Sequence, residues 1–403
     1  MAPQDFQGQP RLDDDALRTL LRELVAIDSV NPSLVPGARG EAAAAEYLSE
    51  YLRGQGIDAR LEEAAPGRPN VVALLGPRGS VSAASAGEKE PRAALALLAH
   101  LDTVGAGDMK DPFTPRECDG RLYARGALDI KSGVAAMCAA ALAIELNAIP
   151  LARPLLIAAV VDEECNSIGT EALLRRHSAE AAVVLEPTDL RLCVAHKGYA
   201  WFELVTHGRA AHGSLPEEGR DAIRMMGRVL GLLEALDRKL AQQPPHPRLG
   251  HASLHASLIS GGQELSSYPA ECRLQVERRT LPGESGGEIE AELRGLLEGL
   301  ETRDPTFRAT ARRLGSRPPY EISPQAPIAR AAADAIRATL GTVELVGMAA
   351  WTDTALLAEA GIPGVVFGPR GRGLHGADEY VELNSVSACA RALCHLILGH
   401  CAE

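Results

Sequence analysis

Apolar runs of strand length that stop abruptly at acidic residues or histidine recur along this chain. Ala94 to Ala99 carries no charge and no hydroxyl and ends at His100 and Asp102. Pro154 to Val161 ends at Asp162, Glu163 and Glu164, and Ala181 to Leu185 ends at Glu186. Uninterrupted apolar runs of this length read as strands buried on both faces of an α/β sheet. Open α/β sheets place their ligands at such strand ends. Between the strands, Asp13 to Asp15 precede an i, i+3, i+4 stripe of Leu17, Leu20, Leu21, Leu24 and Val25, which predicts a capped helix. Further helices are predicted over Glu41 to Arg53, closed by Gly54 and Gly56, and from near Lys131, with an alanine face of Ala135, Ala136, Ala139, Ala140 and Ala143. Asn70 to Gly76 and Arg121 to Ala124 predict strands, and Arg78 to Arg92, rich in Ser, Ala and Gly, a flexible surface loop.

From about Lys197 the pattern changes. Tyr199 to Thr206 alternates as a strand, Asp221 to Leu240 is an amphipathic helix, Ser253 to Ile259 and Cys272 to Arg278 are strands, Glu288 to Leu300 is a helix and Phe307 to Leu314 a strand. The order β-α-β-β-α-β is that of a ferredoxin-like α+β sandwich. The α/β pattern resumes with a helix at Ile328 to Leu340 and a strand at Gly364 to Phe367. The expected organisation is therefore an α/β domain of residues 1–196 and 314–403, interrupted by an inserted domain of residues 197–313.

Composition narrows the function class. The 403 residues include 46% hydrophobic and 23% charged, an ordinary globular balance, with a net charge of -12 that argues against nucleic-acid or anionic-membrane partners. The eight cysteines form no C-x-x-C pair and fall mostly in apolar segments, as reduced thiols of a cytoplasmic protein do. Residues 1–11 lack an apolar core, so no secretory signal is expected, and no uncharged apolar run reaches membrane-spanning length.

The chemistry then rests on the strand ends. His100 reads as a metal ligand with Asp102 two residues on as its orienter, since a ligating imidazole needs a second group to fix its tautomer. Adjacent carboxylates at the end of a buried strand repel unless cations compensate, and neighbouring side chains diverge. Glu163 and Glu164 are thus expected to divide two tasks, ligand and general base. Asp129 stands on a glycine-flanked turn before a helix and reads equally as an N-cap or a metal ligand. His375 follows glycine-rich backbone that leaves it free to reach a site.

Taken together, AHLDTV, RGALDIKSG, VVDEE, LEPTDL, GRAAHGSLPEEGRDAI, GIPGVVFGP and LHGADEYV resemble the di-zinc amidohydrolase and peptidase family of acetylornithine deacetylase, succinyl-diaminopimelate desuccinylase, aminoacylase and glutamate carboxypeptidase. The resemblance runs from about Leu12 to the end and keeps the family's motif order. It implies a mixed-sheet di-zinc exopeptidase-like catalytic domain with the insertion serving as lid and dimerisation domain. It implies that His100 and Glu186 hold one zinc, Glu164 and His375 the other, and that Asp129 bridges them, with a cis peptide bond after it. Glu163 would take the proton from the attacking water and Asp102 would support His100. His212, otherwise readable as a surface-loop histidine, would come from the partner subunit of a homodimer to stabilise the oxyanion. Arg279 would grip the substrate carboxylate. Histidine with carboxylates and no thiolate suits two Zn²⁺ per chain, with Co²⁺ or Mn²⁺ as substitutes, and leaves Cys165 a bystander. The implied activity is hydrolysis of an N-acyl amino acid, of acetylornithine deacetylase type. The alternatives are a metallo-exopeptidase on dipeptides and a binding protein without catalysis on the same fold. Ser266 and Glu277 stand where the family often has Asn and Asp, which bears on substrate identity.

Overall fold

The computed structural model describes residues 10–77 and 91–402, so most of the loop expected at Arg78 to Arg92 lies outside the described residues. The chain divides into two compact units, residues 1–194 with 322–346 and 352–403, and residues 195–321 with 347–351. The second unit thus runs past the expected end at 313, because its last strand continues to Arg317 and the chain turns back only at Tyr320–Glu321.

In the first unit a mixed sheet runs in the order Ala59–Ala65, Arg68–Leu75, Leu155–Val160, Leu95–His100, Ala182–Val184, Gly364–Val366 and Leu192–His196. The central strands Leu155–Val160, Leu95–His100, Ala182–Val184 and Gly364–Val366 are parallel, and all four are buried at every position. That burial is why their sequences show no alternation. Leu95–His100 lies between Leu155–Val160 and Ala182–Val184, so His100, Glu163, Glu164 and Glu186 leave the sheet from the same ends of neighbouring strands.

Helices cover this sheet. Asp14–Ala26 buries the predicted leucine stripe, and Asp13 caps it by accepting from the Ala16 amide. Ser132–Leu146 is buried all round, including the expected alanine face, and with the turn before it forms a stretch, Ala127–Leu146, long and apolar enough to span a bilayer but 94% buried inside the protein. The terminal helix Leu383–Cys401, not anticipated from the sequence, packs on it. Cys138, Cys389, Cys394 and Cys401 lie in this all-helical packing, and all eight cysteines are free. A smaller antiparallel sheet, Gly371–Arg372, Tyr380–Glu382, Arg121–Tyr123 and Arg116–Cys118, ties the late loops to the segment before Asp129.

The second unit is the four-stranded antiparallel sheet Ser253–Gly261, Glu271–Thr280, Gly198–His207 and Ala309–Arg317, in that order, with helices Ala222–Ala241 and Gly286–Arg303. In chain order this is strand 2-3-1-4, the ferredoxin-like arrangement that the sequence predicts. Phe202, Leu204, Leu274 and Val276 from its central strands meet Met226, Val229, Leu293 and Leu297 from the helices in its own core. Both helices start as their sequences dictate, with Asp221 as N-cap and a Ser285–Glu288 capping box.

Candidate metal centre and active site

His100 is 2% exposed at the end of its strand. Its Nδ1 donates to the backbone carbonyl of Asp102 at 2.9 Å, while the Asp102 carboxylate stands 3.5 Å away. The orienting group nearest the ring is therefore the main chain of Asp102. Its carboxylate works on the next strand end, accepting the amides of Glu163 and Glu164 at 3.1 Å each and the Asn31 amide at 2.8 Å. One side chain thus fixes the two glutamates relative to His100.

With Nδ1 committed, Nε2 of His100 faces Asp129 Oδ1 at 3.4 Å, Glu186 Oε1 at 3.8 Å and Glu163 Oε2 at 4.0 Å. The other Asp129 oxygen lies 3.2 Å from His375 Nε2, which is also 3.2 Å from Glu164 Oε1. Asp129 is thus shared between His100–Asp129–Glu186 and Asp129–Glu164–His375, and each set offers one ligand atom per residue within 4.8 Å of one another. Two ligands held about 2.1 Å from one tetrahedral ion stand about 3.4 Å apart, close to these spacings. His100 Nε2, Glu186 Oε1 and Glu164 Oε1 are buried and have no hydrogen-bond partner, which a buried polar atom tolerates only when something else satisfies it. The donor set and its orphaned atoms fit two cations.

The N-cap alternative for Asp129 fails. The helix Ser132–Leu146 begins after Lys131 with no side-chain cap, and the Asp129 carboxylate turns away to the two histidines. Gly126, at φ +76°, makes the preceding turn, and a Cβ there would stand 2.6 Å from Thr103. The Asp129–Ile130 peptide is cis, as the resemblance implies.

The electrostatics show a site short of positive charge. Burial, then the charge of Glu186, push the Glu163 carboxyl well above its usual range, and burial likewise raises Glu186 and Glu164. Burial raises Asp353 to about 6 against hydrogen bonds from Thr170 and Ser167. Burial would lower His100, but Asp102, Asp129 and Glu186 outweigh it and raise it well above normal. Hydrogen bonds to Asp129 and Glu164 lift His375 to about 10. Every one of these groups is driven to hold a proton, the response expected of crowded carboxylates that bound cations otherwise balance.

All five expected ligands and Glu163 therefore converge. His212 and Arg279 belong to the second unit and are not part of this cluster. His212 is exposed, with Nδ1 2.8 Å from the Ser214 hydroxyl. Arg279 donates to Glu277 at 2.6 Å and lies over the Tyr199 ring, so Glu277 pairs directly with it. The sequence pattern gives no role to Asp353, Glu379, Asn31, Arg68 or Arg125. Each is a single polar residue, buried or, for Arg68, largely so, whose partners lie far away in the chain. Cys165 is half-buried and burial raises its thiol, consistent with a bystander.

Comparison with known proteins accords with this geometry. The profile of peptidase family M20/M25/M40 matches residues 96–399. An acetylornithine deacetylase of Myxococcus xanthus is 31% identical over 401 residues, covering 96% of this chain and 98% of that protein. Among solved structures, a tripeptidase of Staphylococcus aureus superposes with TM-score 0.77 at 21% identity, covering 96% of this chain and 98% of that one. A Bacillus subtilis protein described as a dinuclear metal-binding peptidase superposes with TM-score 0.71 at 17% identity, covering 95% and 97%. The chain belongs to peptidase family M20/M25/M40 and is a hydrolase acting on amide bonds.

Proposed function

We propose that this protein hydrolyses the amide bond of an N-acyl amino acid, releasing a carboxylate and a free amine. The observation that carries the reading is the Asp129 carboxylate shared between two imidazole–carboxylate sets, with Glu163 beside them but in neither. His100, Asp129 and Glu186 would hold one Zn²⁺ and Asp129, Glu164 and His375 the other. Such a pair supplies a lowered pKa for water and polarisation of the amide carbonyl.

The protein's own groups do the rest. Glu163 takes the proton of the attacking water and returns it to the departing amine, its carboxylate lying beside both ligand sets and in neither. Asp102 and its carbonyl keep Glu163, Glu164 and His100 in mutual register. His212, contributed by a second copy across a homodimer formed through the inserted domain, donates to the oxygen that gains charge. Arg279 holds the substrate's carboxylate, its guanidinium steered by Glu277. The free cysteines accord with a cytoplasmic enzyme.

The acetyl group of N-acetylornithine is the favoured acyl group, supported by the similarity to the Myxococcus xanthus deacetylase over nearly the whole chain. A peptidase reading on dipeptides draws on the fold shared with the Staphylococcus aureus tripeptidase. Side-by-side assays of N-acetylornithine, N-succinyl-diaminopimelate and simple dipeptides with added Zn²⁺ or Co²⁺ separate the two. Turnover of dipeptides with none of any acyl amino acid overturns the deacylase reading. A binding protein on this fold would be inert on all three classes.

A further inference from the structure

Outside the ligands, Arg125 and Glu379 form a buried ion pair in the first unit, both side chains 1% exposed. Glu379 Oε2 accepts from Arg125 Nη1 at 2.7 Å and from the Gly126 amide at 3.0 Å; Oε1 accepts from the amides of Leu128 at 2.8 Å and Asp129 at 3.1 Å. A carboxylate has about four acceptor positions, so none is left for substrate or ion. The second arm of the guanidinium, Nη2, donates to the carbonyls of His375 at 3.2 Å and Gly376 at 3.1 Å.

Burying an ion pair contributes little net stability by itself, because desolvation offsets the attraction. What this pair does contribute is aim. Glu379 grips the main chain leading into the shared ligand Asp129, and Arg125 grips the main chain of His375. His375 needs that grip: its side chain is 52% exposed, its φ is +59°, and it sits in a loop where packing does not fix it. Gly373, at φ +85°, lets the loop close so tightly that a Cβ would stand 2.8 Å from Glu379.

We propose that Arg125 and Glu379 are positioning residues that hold the Asp129–Glu164–His375 half of the centre in register with the shared aspartate. The proposal rests on the metal reading above. It predicts an asymmetry: Glu379 acts on the ligand common to both halves, whereas the second arm of Arg125, which also makes a longer contact to the Ala106 carbonyl at 3.4 Å, reaches the main chain of no ligand but His375.

The test is calorimetric titration of metal-free full-length protein with Co²⁺, with visible absorption recorded alongside. His375→Ala identifies which uptake step belongs to its half. Arg125→Lys keeps a cation for Glu379 but lacks the fork that spans to the His375 and Gly376 carbonyls. It should weaken that step about 10- to 100-fold, the range for a lost partner of a ligand, and leave the other step within about threefold. Glu379→Gln loses an acceptor beside Asp129 and should weaken both steps. Melting temperatures measured without metal show whether each variant folds. Equal weakening of both steps in a folded Arg125→Lys, or no weakening in either, overturns the proposal. Should Arg125→Lys fail to fold, unchanged affinities in Glu379→Gln overturn it independently. Wild-type protein that takes up fewer than two ions overturns the metal reading, and the clamp with it.

Discussion

Replacing Glu163 separates proton handling from ion binding. Glu163→Gln keeps the shape and removes the base. Oε2 of Glu163 lies 4.0 Å from His100 Nε2, but the residue belongs to neither ligand set. Its amide stays bonded to Asp102 whatever its side chain carries. The backbone that aims Glu164 is therefore untouched, and metal content should stay near two ions per chain. Glu163 stands beside both ligand sets with its carboxylate free of ligand duty, the placement a general base needs. Losing such a group costs about 10² to 10⁴ in rate, or about 3 to 5 kcal/mol of barrier. The fall should appear in kcat and in kcat/KM alike, since the proton is moved only on the way through the transition state. Initial rates on N-acetylornithine paired with elemental analysis of the same preparation decide the matter. A variant that loses its metal along with its activity, or one that keeps more than a tenth of wild-type kcat, refutes the division of labour between Glu163 and Glu164.

His212→Ala should lower kcat by about a hundredfold, as lost oxyanion donors do, and mixing it with the Glu163 variant should restore activity if the histidine acts across subunits; no recovery argues against trans action. Arg279→Lys should raise KM for substrates bearing a free carboxylate with little change in kcat, because the bidentate fork is lost while the charge remains; a kcat effect of similar size contradicts a binding role. Added Zn²⁺ should raise the melting temperature of metal-free protein in a concentration-dependent way, by mass action on the folded state, and scanning fluorimetry without any such shift counts against the centre. His196 is buried with its Nε2 unpartnered, and burial holds its pKa down at about 4 against an ordinary 6.5. The unfolded chain therefore binds the extra proton first, so this residue's contribution is complete above about pH 6.5 and is lost as the pH falls toward 4, about 3 kcal/mol in all and about 1 kcal/mol by pH 5.5. Urea unfolding of His196→Asn in chelator should show a correspondingly shallower loss between pH 7.5 and 5.5, and parallel curves would exclude the assignment.

What was legible in the sequence was what repeats or sits at a strand end. Buried parallel strands announce themselves because neither face meets water, so the positions of His100, Glu163, Glu164 and Glu186 could be read directly. The ferredoxin-like order was equally plain, since strands and amphipathic helices follow one another as β-α-β-β-α-β and the helices carry ordinary caps. The hairpin partner Ala59–Ala65 was hidden because Glu62, which pairs with His177 and Arg176, and Glu63 break the apolar pattern while Leu61 lies exposed. The helix Leu383–Cys401 was missed although Leu393, Leu396 and Ile397 give it an apolar run; buried Ser385, Ser387 and Cys389 blurred the period. The supporting residues Asn31, Arg68, Arg125 and Glu379 leave no periodic trace, because each is one polar side chain whose partners arrive from distant parts of the chain.

The run Asp162-Glu163-Glu164 shows how three adjacent acids coexist at the end of one buried strand. Asp162 takes a left-handed backbone, φ +67°, and its carbonyl accepts the amides of Cys165, Asn166 and Ser167, so the chain turns back at once. The turn sends the three carboxylates to different neighbours. Asp162 meets Arg68 at 2.9 Å and the Ser33 hydroxyl at 2.8 Å; Glu163 faces His100; Glu164 faces His375. Arg68 also holds Glu41 and Asn31, and Asn31 in turn holds Asp102, whose carboxylate takes the two glutamate amides. The first acid of the run is thus paired with a guanidinium that it shares with Glu41, and is spent on the turn. The other two are left with excess negative charge that the described side chains around them do not balance, and that imbalance is what makes the pair fit to bind cations and to move a proton.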